Sequence, residues 1–194
     1  MVHQGYIEPH ACIARVGEDD QVTLWCCTQG AFLVRELVAT LLQIDGAKVK
    51  VVPSEIGGGF GGKTTVYLEP LAVALARKTR RPVKMVMTRE EVFRATGPTS
   101  GSFMKAKIGA KRDGKLVAAD VNIWMEAGAF PGSPASAAAM CALTPYRIPN
   151  FRIDAHDVVL NKPKVAAYRA PGAPMGAFAV ETGIMVTSSS KYDG

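Results

Sequence analysis

Two short apolar runs, Ala11–Val16 and residues 22–27, flank the acidic turn Gly17-Glu18-Asp19-Asp20 and predict a pair of strands. Phe32, Val34, Leu37, Val38, Leu41 and Leu42 then recur at helical spacing, and Asp45-Gly46 ends that stripe. A strand is expected over residues 48–52. A second helical face, Leu68, Leu71, Ala72, Leu75 and Ala76, lies in a helix expected over 65–77 and stopped before Pro82. A strand over 83–87 leads to Thr88, whose spacing to Glu91 is that of a capping box. Residues 103–111 and 115–125 read as a long hairpin across Asp113-Gly114. The rest reads as a Gly- and Pro-rich loop over 128–134, a small apolar helical segment over 135–143 and a strand over 152–160. A second special loop over 168–174 and a helix from Met175 complete the chain. The order predicts an α+β fold with mixed sheets, packed helices and βαβ character in the first half.

Composition narrows the class. The chain has 194 residues, of which 48% are hydrophobic and 21% charged, which is globular rather than disordered. No apolar stretch reaches membrane-spanning length and no signal-peptide pattern opens the chain, so a cytoplasmic protein with no membrane partner is expected. The net charge of +6 is a modest excess. Its densest patch, Arg77-Lys78-Thr79-Arg80-Arg81, suits the C-terminal end of a helix. Without interleaved aromatics or a recognition module, nucleic-acid binding is not expected. Cys12, Cys26, Cys27 and Cys141 lack C-x-x-C spacing and are expected to be buried thiols, with adjacent Cys26 and Cys27 on opposite faces of a strand.

The run Gly57-Gly58-Gly59-Phe60-Gly61-Gly62-Lys63-Thr64 satisfies two phosphate motifs at once. Gly57, Gly62, Lys63 and Thr64 fit the P-loop pattern, and the expected strand and helix on either side suit it. A nucleotide hydrolase also needs an acid at a strand end for Mg²⁺, and Asp120 supplies a poor one. Gly57, Gly59 and Gly62 fit the dinucleotide pattern, but the basic run 77–81 stands where the ribose-binding acid belongs.

The same run resembles the molybdenum-cofactor loop of the xanthine oxidase family, the molybdenum hydroxylases. Three segments agree in order: Gln4-Gly5-Tyr6-Ile7-Glu8-Pro9-His10, Thr28-Gln29, and the loop Ala167-Tyr168-Arg169-Ala170-Pro171-Gly172-Ala173-Pro174. The resemblance implies cofactor contacts at Gln29, Gly58, Gly59, Phe60, Gly61, Tyr168, Arg169 and Ala170. Gln29 would offer an amide donor to an oxygen ligand, the N–H groups around Phe60 and Gly61 would face oxygens of the cofactor, and Phe60 would shield the centre from water. In this family the pterin's sulfurs hold the molybdenum, so no protein metal ligand is expected, and His3, His10 and His156 read as structural. Lys63 reads as a solvated charge. For Phe60 the plain alternative is a core aromatic, for Gln29 a surface residue before a helix, and for Arg169 a turn residue in a surface ion pair.

Departures from the family pattern bear on substrate. Thr64 and Ala137 stand where purine-oxidising members carry a Glu and an Arg, so the expected substrate is an aldehyde or an aromatic N-heterocycle rather than xanthine. Met175 stands where many members carry Gln or Glu. The family's catalytic Glu lies in a loop that has no counterpart here, and Glu181 on an expected helix does not replace it, so no catalytic residue is assigned. The expectation is part of a molybdopterin-binding domain over residues 1–186 with a polar tail over 187–194, inactive by itself. The parent enzyme would use water as oxygen source, with molybdopterin or its cytosine dinucleotide form holding molybdenum. Iron–sulfur (2Fe–2S) and FAD subunits or domains would be its partners, with a small-molecule substrate and a possible homo-oligomer. A non-catalytic oligomerising module is the alternative from a different class, and a P-loop hydrolase the third.

Overall fold

The computed structural model describes residues 2–189, and the chain divides into two compact units. The N-terminal unit comprises residues 2–98 with 166–168, and the C-terminal unit residues 99–165 with the chain from Arg169 onward.

In the N-terminal unit, β1 (Ala11–Val16), β2 (Val22–Cys26), β3 (Val49–Pro53) and β4 (Val83–Val86) form one sheet in the order β3-β2-β1-β4. β2 and β3 run parallel, joined through α1 (Ala31–Leu42), which is the βαβ unit expected from sequence. Cys12, Ala14, Leu24 and Val49 point to one face, where they pack with Val34 and Val38 of α1 and Ala72, Val73 and Ala76 of α2 (Glu69–Thr79). The other face leaves Ile13, Trp25 and Val86 partly exposed. The apolar stripe of α1 is buried only along Val34 and Val38, while Phe32 and Leu41 lie open to solvent. α3 (Arg89–Ala95) begins at the expected box: the Thr88 hydroxyl accepts from the Glu91 N–H, and the Glu91 carboxylate accepts from the Thr88 N–H.

Cys12, Cys26 and Cys27 are buried as expected, but Cys141 is exposed. β2 ends at Cys26, so Cys27 is free of the strand's alternation and also turns inward, its thiol accepting from the Ala11 N–H. Burial pushes the Cys12 and Cys26 thiols up to about 12, which keeps both protonated.

In the C-terminal unit, β5 (Ser102–Ala110) pairs antiparallel with β6 (Leu116–Gly128), and β7 (Asn150–Val159) adds parallel to β6. α4 (Ala135–Ala142) and α5 (Ala173–Ser189) cover the face carrying Ala119, Val121, Ile123 and Met125. On the opposite face Phe103, Trp124 and His156 are neighbours across the three strands, with His156 stacked on Trp124. Glu181 on α5 accepts from the Tyr146 hydroxyl at 2.7 Å. The helix carries the backbone of 187–189 with it; residues 190–194 of the expected tail lie outside the described residues.

The largest revision concerns α2. It starts at Glu69, not Thr65, because Pro70 suits a first helical turn and the Glu69 carboxylate bonds back to the Tyr67 N–H. Residues 65–68 are irregular, so α2 does not begin directly at the end of the glycine loop.

His10 is buried beside Tyr6, whose hydroxyl lies 3.1 Å from its Nε2, and it meets the Tyr67 ring edge-on. Burial, helped by the nearby Lys63 charge, lowers its pKa from 6.5 to about 4. Between those values the unfolded chain binds the proton more readily than the folded one, so stability falls as pH drops through the window and levels off below about 4. Thermal unfolding across that range should show a decline in Tm that His10→Gln flattens; an unchanged slope in the variant would count against it.

Candidate functional site

The glycine loop follows β3 and is closed over its own ends by side chains from elsewhere in the N-terminal unit. Gln29 lies between β2 and α1. Its side-chain Oε1 accepts from the N–H of Gly61 at 2.9 Å and of Lys63 at 3.2 Å. Both bonds take the carbonyl end, and the Gln29 NH₂ group makes no hydrogen bond among the described residues, which leaves it free as a donor. The backbone locks the same junction: the Gln29 N–H and the Thr28 hydroxyl both donate to the Lys63 carbonyl. This geometry answers the alternative reading of Gln29, which is exposed before the α1 cap at Gly30 but is tied into the loop.

Close approach explains the glycines. A Cβ on Gly59 would lie 2.5 Å from Gln29 Oε1. Gly61 has φ +93°, and a Cβ there would lie 2.6 Å from the Ala167 carbonyl oxygen. Phe60 between them adopts φ +49° and is 43% exposed, so it is no core aromatic. The expected oxygen-binding role of the Gly61 N–H is revised, because that group is spent on Gln29. The N–H groups of Gly58, Gly59 and Phe60 carry no hydrogen bond among the described residues. Thr64 turns its hydroxyl back onto the Gly61 carbonyl at 2.9 Å.

Sequence reasoning missed the layer beneath the loop. Lys63 is not a solvated charge: its side chain is fully buried, and its Nζ lies 2.7 Å from Glu8 Oε2 and 5.0 Å from the Tyr6 ring centre. Glu8 Oε2 also accepts from the Gly57 N–H at 2.9 Å. Burial pushes the Glu8 carboxyl up, but Lys63 and the Gly57 N–H outweigh it and hold it below the usual range. Arg89 on α3 donates to the Tyr6 and Ile7 carbonyls, fixing the segment that carries Glu8. Buried Gln4 donates to the Ala167 carbonyl at 2.6 Å, leaving its Oε1 without a partner among the described residues. The signal available in sequence was the Glu8-containing segment itself, which matched the family without an assigned role. A P-loop lysine reaches outward over a helix N-terminus. Here Lys63 points inward and α2 does not begin directly at the end of the loop, so the phosphate-loop readings lose their geometry.

Of the other expected contacts, Tyr168 belongs to the N-terminal unit and is half-buried. Arg169 and Ala170 belong to the C-terminal unit and are exposed. Ala170 has φ +55°, and Arg169 makes no ion pair among the described residues. Ala137 lies half-buried on α4. Among the described residues no cluster of three or more His, Cys, Asp or Glu could hold a metal ion, and no helix is long and apolar enough to cross a membrane.

The chain is similar to several known proteins. The family model for the molybdopterin cofactor-binding domain matches residues 1–189. The large molybdopterin subunit of nicotinate dehydrogenase from Eubacterium barkeri is 33% identical over 175 residues, covering 89% of this chain and 41% of that subunit. The xanthine dehydrogenase of Drosophila pseudoobscura pseudoobscura is 34% identical over 181 residues, covering 91% of this chain and 14% of that protein. Among solved structures, quinoline 2-oxidoreductase from Pseudomonas putida 86 superposes with a TM-score of 0.88 at 26% identity, over 98% of this chain and 25% of that one. The chain thus spans less than half the length of these relatives. With the family model spanning residues 1–189 and the fold matched, this chain belongs to the molybdopterin cofactor-binding domain family of the molybdenum hydroxylases.

Proposed function

We propose that the N-terminal unit holds the molybdenum-bearing pterin through the free Gln29 NH₂ group and the N–H groups of Gly58, Gly59 and Phe60. The observation that carries this reading is the orientation of Gln29: two backbone donors take its carbonyl, leaving an NH₂ donor beside a loop with unused N–H groups. Such a cradle suits an anionic, oxygen-rich group. When bound, the cofactor supplies the two-electron redox chemistry; the chain binds it, orients it and limits water access. Phe60, exposed at the loop's apex, covers it from solvent. The family resemblance adds Tyr168, Arg169 and Ala170 as further contacts, and Gly61 acts by holding Gln29 rather than by touching the ligand.

The parent enzyme hydroxylates an aldehyde or an aromatic N-heterocycle with oxygen from water. Thr64 spends its hydroxyl within the loop and Ala137 carries no polar group, so neither grips a charged purine. Relatives named for nicotinate and quinoline favour the N-heterocycle. Electron transfer would run through iron–sulfur and FAD components of the whole enzyme, and turnover needs a base that none of the residues assigned above supplies. A cytoplasmic location fits these components. The second reading, an oligomerising module, is favoured by exposed Phe103, Phe130 and Phe178 in the C-terminal unit.

Gln29→Glu keeps both acceptor positions but replaces the donor with a negative oxygen. Its molybdenum and pterin content per folded chain should drop roughly tenfold or more, because a charge-assisted bond is lost and a repulsion gained. Wild-type content in that variant would sink the proposed role. Gly61→Ala should destabilise the N-terminal unit by about 2 kcal/mol, through positive φ and the clash with Ala167. Chemical denaturation checks it, and a shift near zero would contradict the observed packing.

A further inference from the structure

The Glu8–Lys63 pair spans the base of the glycine loop. Glu8 Oε2 takes the Gly57 N–H at the start of the loop and the Lys63 ammonium near its end. The Glu8 N–H also donates to the Gly57 carbonyl at 3.2 Å, and a Cβ on Gly57 would lie 2.5 Å from the Glu8 Cβ. One carboxylate therefore grips both ends of the run. Lys63 carries the grip onward: its own N–H donates to Gln29 Oε1, and its carbonyl accepts from the Gln29 N–H. The side chain of Lys63 is 0% exposed and that of Glu8 33%, so the cation depends on this partner while the anion stays partly solvated. A buried ammonium that served packing alone is a poor choice, since an apolar residue of similar size would fill the space at lower desolvation cost.

We propose that Glu8 and Lys63 are positioning residues: a charge clamp that presets the glycine loop and the Gln29 amide for the cofactor. The proposal rests on the cofactor reading above. The clamp acts through Gly57 and Gln29 and touches no reacting atom. Glu8→Gln keeps the shape and an acceptor for Gly57 but removes the charge facing Lys63. Lys63→Met keeps the apolar stem and removes the ammonium. Each single variant should speed amide exchange at Gly57, Gly61 and position 63 by roughly tenfold or more, with core amides of Leu24 and Val73 little changed. The double variant should exchange no faster than the worse single one, the non-additivity of a shared interaction. Molybdenum and pterin per folded chain, measured after expression in cells that make the cofactor, should fall in all three.

Equal acceleration of loop and core amides would make the pair a plain stability element and overturn the proposal. So would unchanged loop exchange, additive effects, or a loosened loop with undiminished cofactor content. A wild-type chain that takes up neither molybdenum nor pterin would instead overturn the cofactor reading, and the exchange measurements would still decide whether the clamp sets the loop.

Discussion

The Gln29 carbonyl accepts the N–H groups of Gly61 and Lys63, and that shared acceptance fixes which end of the amide stays free as a donor. Several other features follow from it. Gly59 lacks a side chain because Gln29 Oε1 occupies the place of its Cβ, and Gly61 takes a positive φ to present its N–H while Ala167 packs against it. Phe60 is forced outward between them. An amide held this way would lose little freedom on donating to a ligand, so such a hydrogen bond would be preorganised rather than formed at an entropic cost on binding.

Regular elements supply the anchor points. Gln29 sits where β2 gives way to α1, the loop follows β3, and β2 and β3 are parallel neighbours. The crossover thus brings residue 29 and residues 57–64 to the same end of one sheet, the usual ligand end of parallel strands. From α3, Arg89 fixes the Tyr6 and Ile7 carbonyls, and with them the approach of Glu8.

Much of this was legible in sequence. Strand and helix positions follow from apolar spacing and turn residues, and the capping box at Thr88 was readable to the residue. The glycine run was legible as a resemblance to the family's cofactor loop. What sequence hid was direction. Nothing in Gly-Gly-Lys-Thr distinguishes a lysine reaching out to phosphate from one buried on a carboxylate more than fifty residues earlier in the chain. The start of α2 was missed because residues 65–68 sit next to an apolar helical face and carry no strong breaker, while Pro70 marks the true first turn. The stripe on α1 was overread, since Phe32 and Leu41 share its spacing yet lie on the solvent side.

In the proposed function, one amide and a short run of N–H groups receive the cofactor. Titrating the ¹⁵N-labelled chain with molybdopterin and following side-chain and backbone resonances tests it most directly. Saturable shifts that move together are expected at the Gln29 NH₂ group and the Gly58, Gly59 and Phe60 amides, with distant β5 amides unmoved. Saturable binding that leaves the Gln29 NH₂ and those three amides in place would contradict it.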